Sequence, residues 1–196
     1  MPAEAVDFMT THYIDIRLLP DPEFSHAHLF GALYAKFHRA LVQLKATDVG
    51  VSFPLYRMQP RTMGDVMRVH GTRSALQRLM DTDWLRGMND HVTCTGVLSI
   101  PDQVKHRIVT RRQFKTNVER LRRRRMRRKG ETEAQVVTAI PESVERQPEL
   151  PYVQLRSAST GQTFRLFVLQ GEVEEAPIDG DYNSYGLSMG GSVPWF

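Results

Sequence analysis

An arginine-rich segment is the feature of this sequence with the clearest chemistry. The segment from Lys105 to Lys129 contains 13 of the chain's 26 lysine and arginine residues and only one acid, Glu119. The other 171 residues carry 13 basic and 21 acidic side chains, a net charge of −8. A segment with this much positive charge lowers its own repulsion by binding a polyanion. Because arginine offers planar, bidentate donors to phosphates and guanine edges, nucleic acid is the partner that the segment predicts.

The densest part of this segment, residues 119–128 (ERLRRRRMRR), has the punctuation of a helix. Thr116 or Asn117 can cap its start, and Lys129-Gly130 closes its end. A helix of about 12 residues would present arginine on every side and would be marginal alone in water. A helix with arginine on every side is expected to bind in an anionic groove that surrounds it. An arginine run alone also fits a localisation signal or a disordered basic arm.

His38 is a second candidate for chemistry, because histidine suits proton transfer near neutral pH. It lies on a predicted helix over residues 26–45, about 100° from the centre of the stripe formed by Leu29, Phe37 and Leu41. This margin is where an imidazole reaches solvent or substrate. The spacing alone, however, is more typical of a structural or surface histidine.

The sequence lacks the residues that several other kinds of site require. Cys94 is the only cysteine, which excludes intramolecular disulfides and cysteine-based zinc sites. The seven histidines show no HExxH motif, and His26 with His28 is a weak candidate for a ligand pair. The serine at Ser157 is not in a GxSxG motif. We therefore predict no metal and no cofactor.

The composition predicts a globular protein outside the membrane. The chain has 196 residues, of which 41% are hydrophobic and 24% charged. It contains no apolar run near the ~20 residues needed to span a bilayer and no signal peptide at its start. We therefore expect a cytoplasmic protein with no membrane partner.

The elements of the N-terminal half predict a ferredoxin-like fold within an α+β protein. Strands and helices alternate in the order βαββαβ, which is that of the ferredoxin-like motif. The first ten residues form a loose extension. The strands are predicted at 12–18, 48–53, 65–70 and 91–99, and the helices at 26–45 and 73–80.

Ile100-Pro101-Asp102 marks a boundary, so we predict domains at 1–100 and 101–196. The second, smaller domain contains the arginine-rich helix and a Gly-rich tail that ends in aromatic residues. A short helix at 132–139, a polar loop at 142–151 and a hairpin of strands 152–157 and 163–170 complete it.

Six segments of the sequence occur in an order that is known from one family. They are HYIDIRLLPDPEF (12–24), KFHRAL (36–41), GVSFP (50–54), ERLRRRRMRR (119–128), LRSASTGQTFRLF (155–167) and YGLSMGGSVPWF (185–196). With these segments the chain resembles the type I-F CRISPR-associated endoribonuclease. The resemblance runs from about residue 12 to the last residue and is strongest at both ends and in the arginine-rich helix. It is weak at 55–63, 130–150 and 171–183.

The resemblance implies an enzyme that processes repeat-containing precursor RNA into guide RNAs. Such an enzyme binds one repeat hairpin and cuts at the 3′ base of its stem without a metal ion. The 2′-hydroxyl next to the scissile phosphate attacks it, which leaves a 2′,3′-cyclic phosphate and a 5′-hydroxyl. Family members stay on the mature guide RNA as a subunit of the type I-F surveillance complex.

The resemblance also implies catalytic roles for three residues. His38 matches the catalytic histidine, the general base for the 2′-hydroxyl. Ser157 matches the serine that holds this hydroxyl in line with the phosphate, and Tyr185 matches the tyrosine that orients the histidine. A phenol that only orients the imidazole should slow cleavage when it is lost, not abolish it.

RNA-binding roles follow from the same resemblance. Phe164 matches the aromatic side chain that stacks on the terminal base pair, and Arg111 with Gln113 matches the pair that reads base edges near the foot of the stem. Arg124, Arg127 and Arg128 match positions that face the RNA groove, whereas the direction of Arg125 is open. Phosphate contacts are expected from Arg112 and Lys115, whereas Arg120 and Arg123 fit either phosphate contacts or solvated charge. Ser159 is a further candidate for an RNA contact, although the turn-stabilising interpretation is favoured there.

Three functional hypotheses follow. The first is the metal-independent hairpin endoribonuclease, favoured because His38, Ser157 and Tyr185 occur together. The second is a non-catalytic subunit that binds the hairpin of the guide RNA without cutting it. The third, a basic DNA-binding or ribosome-associated protein, explains the arginine run but neither His38 nor the tail.

Overall fold

A computed structural model describes residues 10–113, 118–141, 148–157 and 160–196, with only the backbone at Glu119. Lys115, Ser159, the capping pair Thr116 and Asn117, and nearly all of the N-terminal extension lie outside the described residues. The chain divides into two compact units, Met1–Arg111 with Leu150–Phe196 and Arg112–Glu149. The functional division at residue 100 stays a prediction. No described helix is both long and apolar enough to cross a bilayer.

Fifteen helices and strands occur in the described residues. In chain order they are β1 (His12–Leu18), α1 (His26–Leu44), β2 (Gly50–Ser52), β3 (Arg57–Met58), β4 (Arg61–Thr62), β5 (Val66–Gly71), α2 (Arg73–Met80), β6 (Val92–Cys94), β7 (Leu98–Ser99), β8 (Lys105–Arg112), α3 (Val118–Lys129), α4 (Glu133–Ala139), β9 (Tyr152–Arg156), β10 (Thr163–Glu174) and β11 (Val193–Trp195).

The first sheet has the ferredoxin-like arrangement that the sequence predicts. Its strand order is β2-β5-β1-β6, and each neighbouring pair is antiparallel. Ile14 and Ile16 of β1 are 1% exposed, because alternate side chains of the strand face the core. Helices α1 and α2 both contact β1. The α+β class and the βαββαβ order are therefore confirmed.

The predicted strand over 91–99 is two short strands instead of one. Both pair with β1, but Cys94 opposes Ile16 whereas Ser99 opposes His12, so the register shifts by one residue between them. The intervening residues include Gly96, where an extra residue can be accommodated as a bulge. Sequence alternation alone does not reveal such an insertion.

The second sheet has the order β11-β8-β10-β9. The predicted hairpin is confirmed as β9 and β10, with Leu166 opposite Val153. Strand β8 was missed, because only Val109 of its eight residues is buried and its charge conceals any alternation. The short strands β3, β4 and β11 were also missed, since two or three residues carry no periodic signal.

The C-terminal tail is anchored by its aromatic residues. Strand β11 pairs with β8, and the guanidinium of Arg107 lies 4.2 Å from the ring centroid of Trp195. Arg68 lies 4.0 Å from the ring centroid of Phe196 and donates to its carbonyl oxygen at 2.8 Å. This anchoring fixes the end of the loop that carries Tyr185.

A hydrogen-bonded pair of polar side chains, His70 and Ser52, is buried in the first unit. His70 and Ser52 are both fully buried, and His70 Nε2 lies 2.8 Å from the Ser52 hydroxyl. His70 Nδ1 has no hydrogen-bond partner among the described residues. Burial, together with the charges of Arg68 and His106, lowers the pKa of His70 from 6.5 to about 3. The neutral imidazole is therefore the form that the fold accepts.

We expect His70→Gln to reduce the loss of stability in mild acid. A folded-state pKa below the unfolded value means that stability is full above pH 6.5 and falls as the pH drops toward 3. Between about pH 7.5 and about pH 5, the wild-type free energy of unfolding should fall by about 2 kcal/mol more than that of the variant. Urea unfolding at both pH values measures this difference. The exposed His26→Gln is the control, and equal falls in all three proteins would contradict the prediction.

The second unit contains the two predicted helices. Helix α3 ends before Gly130, whose φ of +64° suits glycine, and α4 packs against α3. Arg125 forms an ion pair with Glu131, with 2.6 Å between Nε and Oε2. The hydrogen bond from Arg125 lowers the pKa of Glu131. Arg122 donates to the carbonyl oxygen of Ile140 at 3.0 Å. The side chains of these two arginines therefore make contacts within the second unit itself.

Candidate active site

One face of α1 positions His38. Gly31, Ala35 and His38 are spaced by four and three residues, so they lie on one side of the helix. The helix packs against β9 there, and a Cβ on Gly31 would lie only 2.5 Å from the carbonyl oxygen of Gln154. A residue without a side chain is therefore needed for this close approach. The opposite, apolar face of α1 is buried against the sheet of β1.

The C-terminal loop fixes the imidazole of His38. His38 Nδ1 lies 2.7 Å from the carbonyl oxygen of Ser184, which can only accept a hydrogen bond. Nδ1 therefore carries the proton, and in the neutral ring Nε2 keeps its lone pair. The side chain is half-buried and lines an open cleft. This tautomer is the one that a general base with Nε2 as acceptor requires.

Tyr185 stacks directly on His38. The two ring centroids are 3.9 Å apart and the planes differ by 4°. The ring of Tyr34 is also nearly parallel to that of Tyr185, with 6.5 Å between the two centroids. The phenol of Tyr34 donates to the Tyr185 carbonyl oxygen at 2.8 Å. Burial raises the pKa of Tyr34 well above its usual range, so this donor stays protonated.

Backbone hydrogen bonds hold the Tyr185 loop in shape. The Asn183 side-chain oxygen accepts from the backbone amides of Tyr185 at 2.8 Å and Leu187 at 3.2 Å. Gly186 has a φ of +70°, and a Cβ there would lie 2.9 Å from the ring of Phe37. The loop is thus clamped onto α1 by an Asx turn and a glycine. Its carbonyls and aromatic ring are presented to His38 in one rigid piece.

Ser157 lies at the end of β9 in the same cleft. The cleft has a volume of about 550 Å³, and its walls include His38, Ser157, Phe164 and Tyr185. The Ser157 hydroxyl accepts from the backbone amide of Thr160 at 3.2 Å. The Ser157 hydroxyl thus stabilises the turn, a role that the sequence favours for Ser159 instead. The positioning role of Ser157 stays a prediction. The structure brings together all three residues that were predicted to be catalytic.

Arg111 connects this cleft to β8. Its guanidinium carbon lies 5.8 Å from the ring centroid of Phe164 and 5.7 Å from that of Tyr185. Cation–π attraction operates at such distances. Of the predicted base-reading pair, Arg111 therefore lies beside Phe164, the residue predicted to stack on a base pair. Gln113 and Arg112 are exposed and belong to the other unit.

The arginine-rich helix has two different faces. Arg122 and Arg125 are tied to Ile140 and Glu131, as described above, which gives Arg125 a direction that the sequence left open. On the opposite face the arginines are exposed. At 100° per residue they form one broad stripe. They are Arg120, Arg123, Arg124, Arg127 and Arg128.

Comparison with known proteins identifies the family. The family model described as CRISPR-associated protein (Cas_Csy4) matches residues 13–196, which include the cleft, the arginine-rich helix and the C-terminal loop. The chain belongs to the Cas_Csy4 family. The resemblance that the six sequence segments indicated is therefore confirmed.

Two curated relatives of the Cas_Csy4 family match nearly the whole chain. A protein of Pseudomonas aeruginosa (strain UCBPP-PA14) is 44% identical over 94% of this chain and 99% of its own length. A protein of Escherichia coli (strain UTI89 / UPEC) is 40% identical over the same shares. Both are named CRISPR-associated endonuclease Cas6/Csy4.

The sequence reasoning missed the residues that support this Cas_Csy4 site. Gly31, Tyr34, Asn183 and Gly186 touch or shape the cleft, but no motif or spacing in the sequence singles them out. Only the Asn183-x-Tyr185-Gly186 pattern, a turn signal before the matched tyrosine, could have indicated a shaped loop. In the described ranges, no group of three or more His, Cys, Asp or Glu side chains is placed to hold a metal ion.

Proposed function

We propose that this protein is an endoribonuclease of CRISPR RNA processing that binds the repeat hairpin and cuts the 3′ base of its stem without a metal ion. It then stays bound to the mature guide RNA. Family membership and the two relatives named as endonucleases support the enzyme class. One observation carries the mechanism. The Ser184 carbonyl holds a proton on His38 Nδ1, so Nε2 is available as a base in the cleft that Ser157 also lines.

The chemistry needs only groups that the cleft contains. Nε2 of His38 takes the proton of the 2′-hydroxyl while the 2′ oxygen forms a bond to phosphorus. The bond from phosphorus to the 5′ oxygen breaks, and that oxygen leaves as a hydroxyl after it takes a proton from the imidazolium or from water. Ser157 holds the attacking hydroxyl by hydrogen bonding, and positioning of this kind can supply a large part of the rate. The products are a 2′,3′-cyclic phosphate and a 5′-hydroxyl.

Tyr185 is a positioning residue in this scheme. Its ring covers one face of the His38 imidazole at 3.9 Å, and the adjacent Ser184 carbonyl fixes the ring's rotation. Together these contacts leave the imidazole one orientation. A fixed base loses less entropy in the transition state than a mobile one.

The exposed arginine stripe of α3 supplies the grip on the hairpin. Arg124, Arg127 and Arg128 enter the groove of the RNA, while Arg120 and Arg123 contact phosphates, as do Arg112 and Lys115. Arg111 with Gln113 reads base edges, Phe164 stacks on the terminal base pair, and Ser159 adds a further contact. Many arginine–phosphate contacts keep the cleaved product bound to the protein. They also keep the protein on the guide RNA as a subunit of the type I-F surveillance complex. Such binding weakens steeply with salt.

Cleavage in excess EDTA with a 2′-deoxy control tests this function. We expect the purified protein to cut a repeat hairpin RNA from its own locus in EDTA. A matched RNA with 2′-deoxy at the nucleotide before the cut should bind equally well and stay intact, because the nucleophile is missing. Binding of both RNAs with cutting of neither would favour the non-catalytic hairpin-binding subunit. Cutting of the 2′-deoxy RNA would contradict attack by the 2′-hydroxyl.

A further inference from the structure

A groove continues from the catalytic cleft along α1. A second cleft of about 490 Å³ adjoins the first, and both have Ala35, Arg39, Leu155 and Arg156 in their walls. The shared residues make them one groove between α1 and β9. The second cleft reaches back to Ser25, the N-cap of α1. The helix axis from His38 to Ser25 is ~20 Å long.

The charge of this groove is unlike that of the chain around it. Outside Lys105–Lys129 the chain has a net charge of −8, yet none of the residues that line the two clefts is acidic. The groove contains two arginines, Arg39 and Arg156, and a histidine, His28, besides His38. Arg39 is exposed and lines both clefts. A positive, acid-free groove in an otherwise acidic region attracts an anionic chain.

The floor of the groove is shaped for an extended strand. Ala27, Gly31, Ala32 and Ala35 leave α1 low and flat on this side, with Gly31 against the Gln154 carbonyl. Thr163 and the N-cap Ser25 add hydroxyl groups along the edge. Arg156 is not free to swing away, because its Nε donates to the Gly161 carbonyl oxygen at 3.0 Å. The groove thus combines a low floor with cations on its rim, and a positively charged groove that follows the backbone is one part of single-strand-binding surfaces.

We propose that this groove binds the single-stranded RNA that follows the scissile phosphate, the 3′ flank of the repeat hairpin. This inference rests on the proposed function. Phe164 and Arg111 mark the side of the cleft where the last base pair would lie, and the scissile phosphate would lie at His38 and Ser157. The strand that passes through that point leaves the stem as its 3′ flank. This groove is continuous with the catalytic cleft through the four wall residues that the two clefts share. Its ~20 Å accommodate at most ~6 nucleotides, the number that fits at the ~3.4 Å rise of stacked bases.

Binding of two uncleavable hairpins tests the proposal. Both carry 2′-deoxy before the cut, and their 3′ flanks end either one nucleotide after the scissile phosphate or about six nucleotides further on. We expect the wild type to bind the long-flank hairpin about tenfold more tightly, since one or two arginine–phosphate contacts are gained. Arg39→Gln should remove most of this flank advantage, and Arg39→Lys should keep much of it. The advantage should also shrink as salt is raised.

Arg73→Gln is the matched control, because Arg73 is also an exposed helical arginine and lies outside the groove. It should keep the full flank advantage. Equal Kd values for the two hairpins in the wild type would overturn the proposal. So would an advantage that survives Arg39→Gln, or one that a 5′ flank alone reproduces.

A parallel cleavage assay with the all-ribose hairpin separates this proposal from the proposed function. Cleavage by the wild type without any flank advantage would overturn only the flank site. A flank advantage that Arg39→Gln removes, in a protein that does not cleave, would support the flank site and overturn the catalytic proposal.

Discussion

Replacing His38 by alanine should slow cleavage of the repeat hairpin by roughly 10²–10⁴-fold and change the Kd for the hairpin only a few-fold. Loss of a general base removes an interaction made in the transition state, which accounts for an effect of that size on the rate. The imidazole contributes one partly buried surface to a cleft that many other groups line, so its removal changes binding little. Single-turnover cleavage with protein in excess measures the chemical step without product release.

Two variants make this result specific. His38→Asn can still donate a hydrogen bond to the Ser184 carbonyl but cannot take a proton, so it should be as inactive as His38→Ala. His26→Ala removes an exposed histidine from the same helix and should cleave at the wild-type rate. If His38→Ala lost binding and cleavage by equal factors, His38 would be an RNA-binding residue and not the base. If His38→Asn kept cleavage, the proton would go elsewhere.

The N-terminal fold could be predicted because its elements are long and periodic. Helix α1 repeats Leu29, Leu33, Phe37 and Leu41, all at most 4% exposed, and β1 alternates buried isoleucines with polar residues. Such patterns are local, so they can be found without knowledge of the rest of the chain. The same pattern placed His38 at the margin of the apolar stripe, beside the open cleft where the structure has it.

The environment of His38 could not be predicted from local patterns. The Ser184 carbonyl that fixes its tautomer and the Tyr185 ring that covers it are about 146 residues away in sequence. Gly31 is needed because β9 approaches α1, and no pattern within the helix indicates that approach. The resemblance to the family identified Ser157 and Tyr185 as site residues but did not indicate the contacts around them. Tertiary contacts hold these residues in place, and no short stretch of a single sequence indicates such contacts.

The arginine-rich helix shows a different limit. Its sequence predicts arginine on every side, and the structure separates a face bound to its own unit from an exposed face. The separation depends on Glu131, which lies beyond the turn at Gly130 and pairs with Arg125. Screened surface pairs contribute little stability, but they decide which arginines are occupied. Within the exposed stripe, Arg124, Arg127 and Arg128 have no such partner among the described residues.

Replacing Arg124, Arg127 and Arg128 together by alanine should weaken hairpin binding by on the order of 10²–10³-fold at moderate salt. All three are exposed on α3 and make no hydrogen bond or ion pair with the other described residues, so the chain does not use them for its own structure. Each arginine–phosphate contact is a charge-assisted hydrogen bond, and three of them lost together account for this range. The slope of log Kd against log salt should also become shallower by about 2–3.

A charge-matched triple variant separates a groove contact from the loss of overall charge. Arg57, Arg73 and Arg86 are exposed arginines of the first unit outside both clefts, and their replacement by alanine removes the same charge. That variant should bind within a few-fold of the wild type and keep its salt slope, because long-range attraction is screened beyond ~10 Å. Equal weakening by the two triple variants would mean that net charge, and not this face of α3, holds the RNA. An unchanged Kd for the Arg124/Arg127/Arg128 variant, with its helical circular dichroism intact, would place the helix outside the groove.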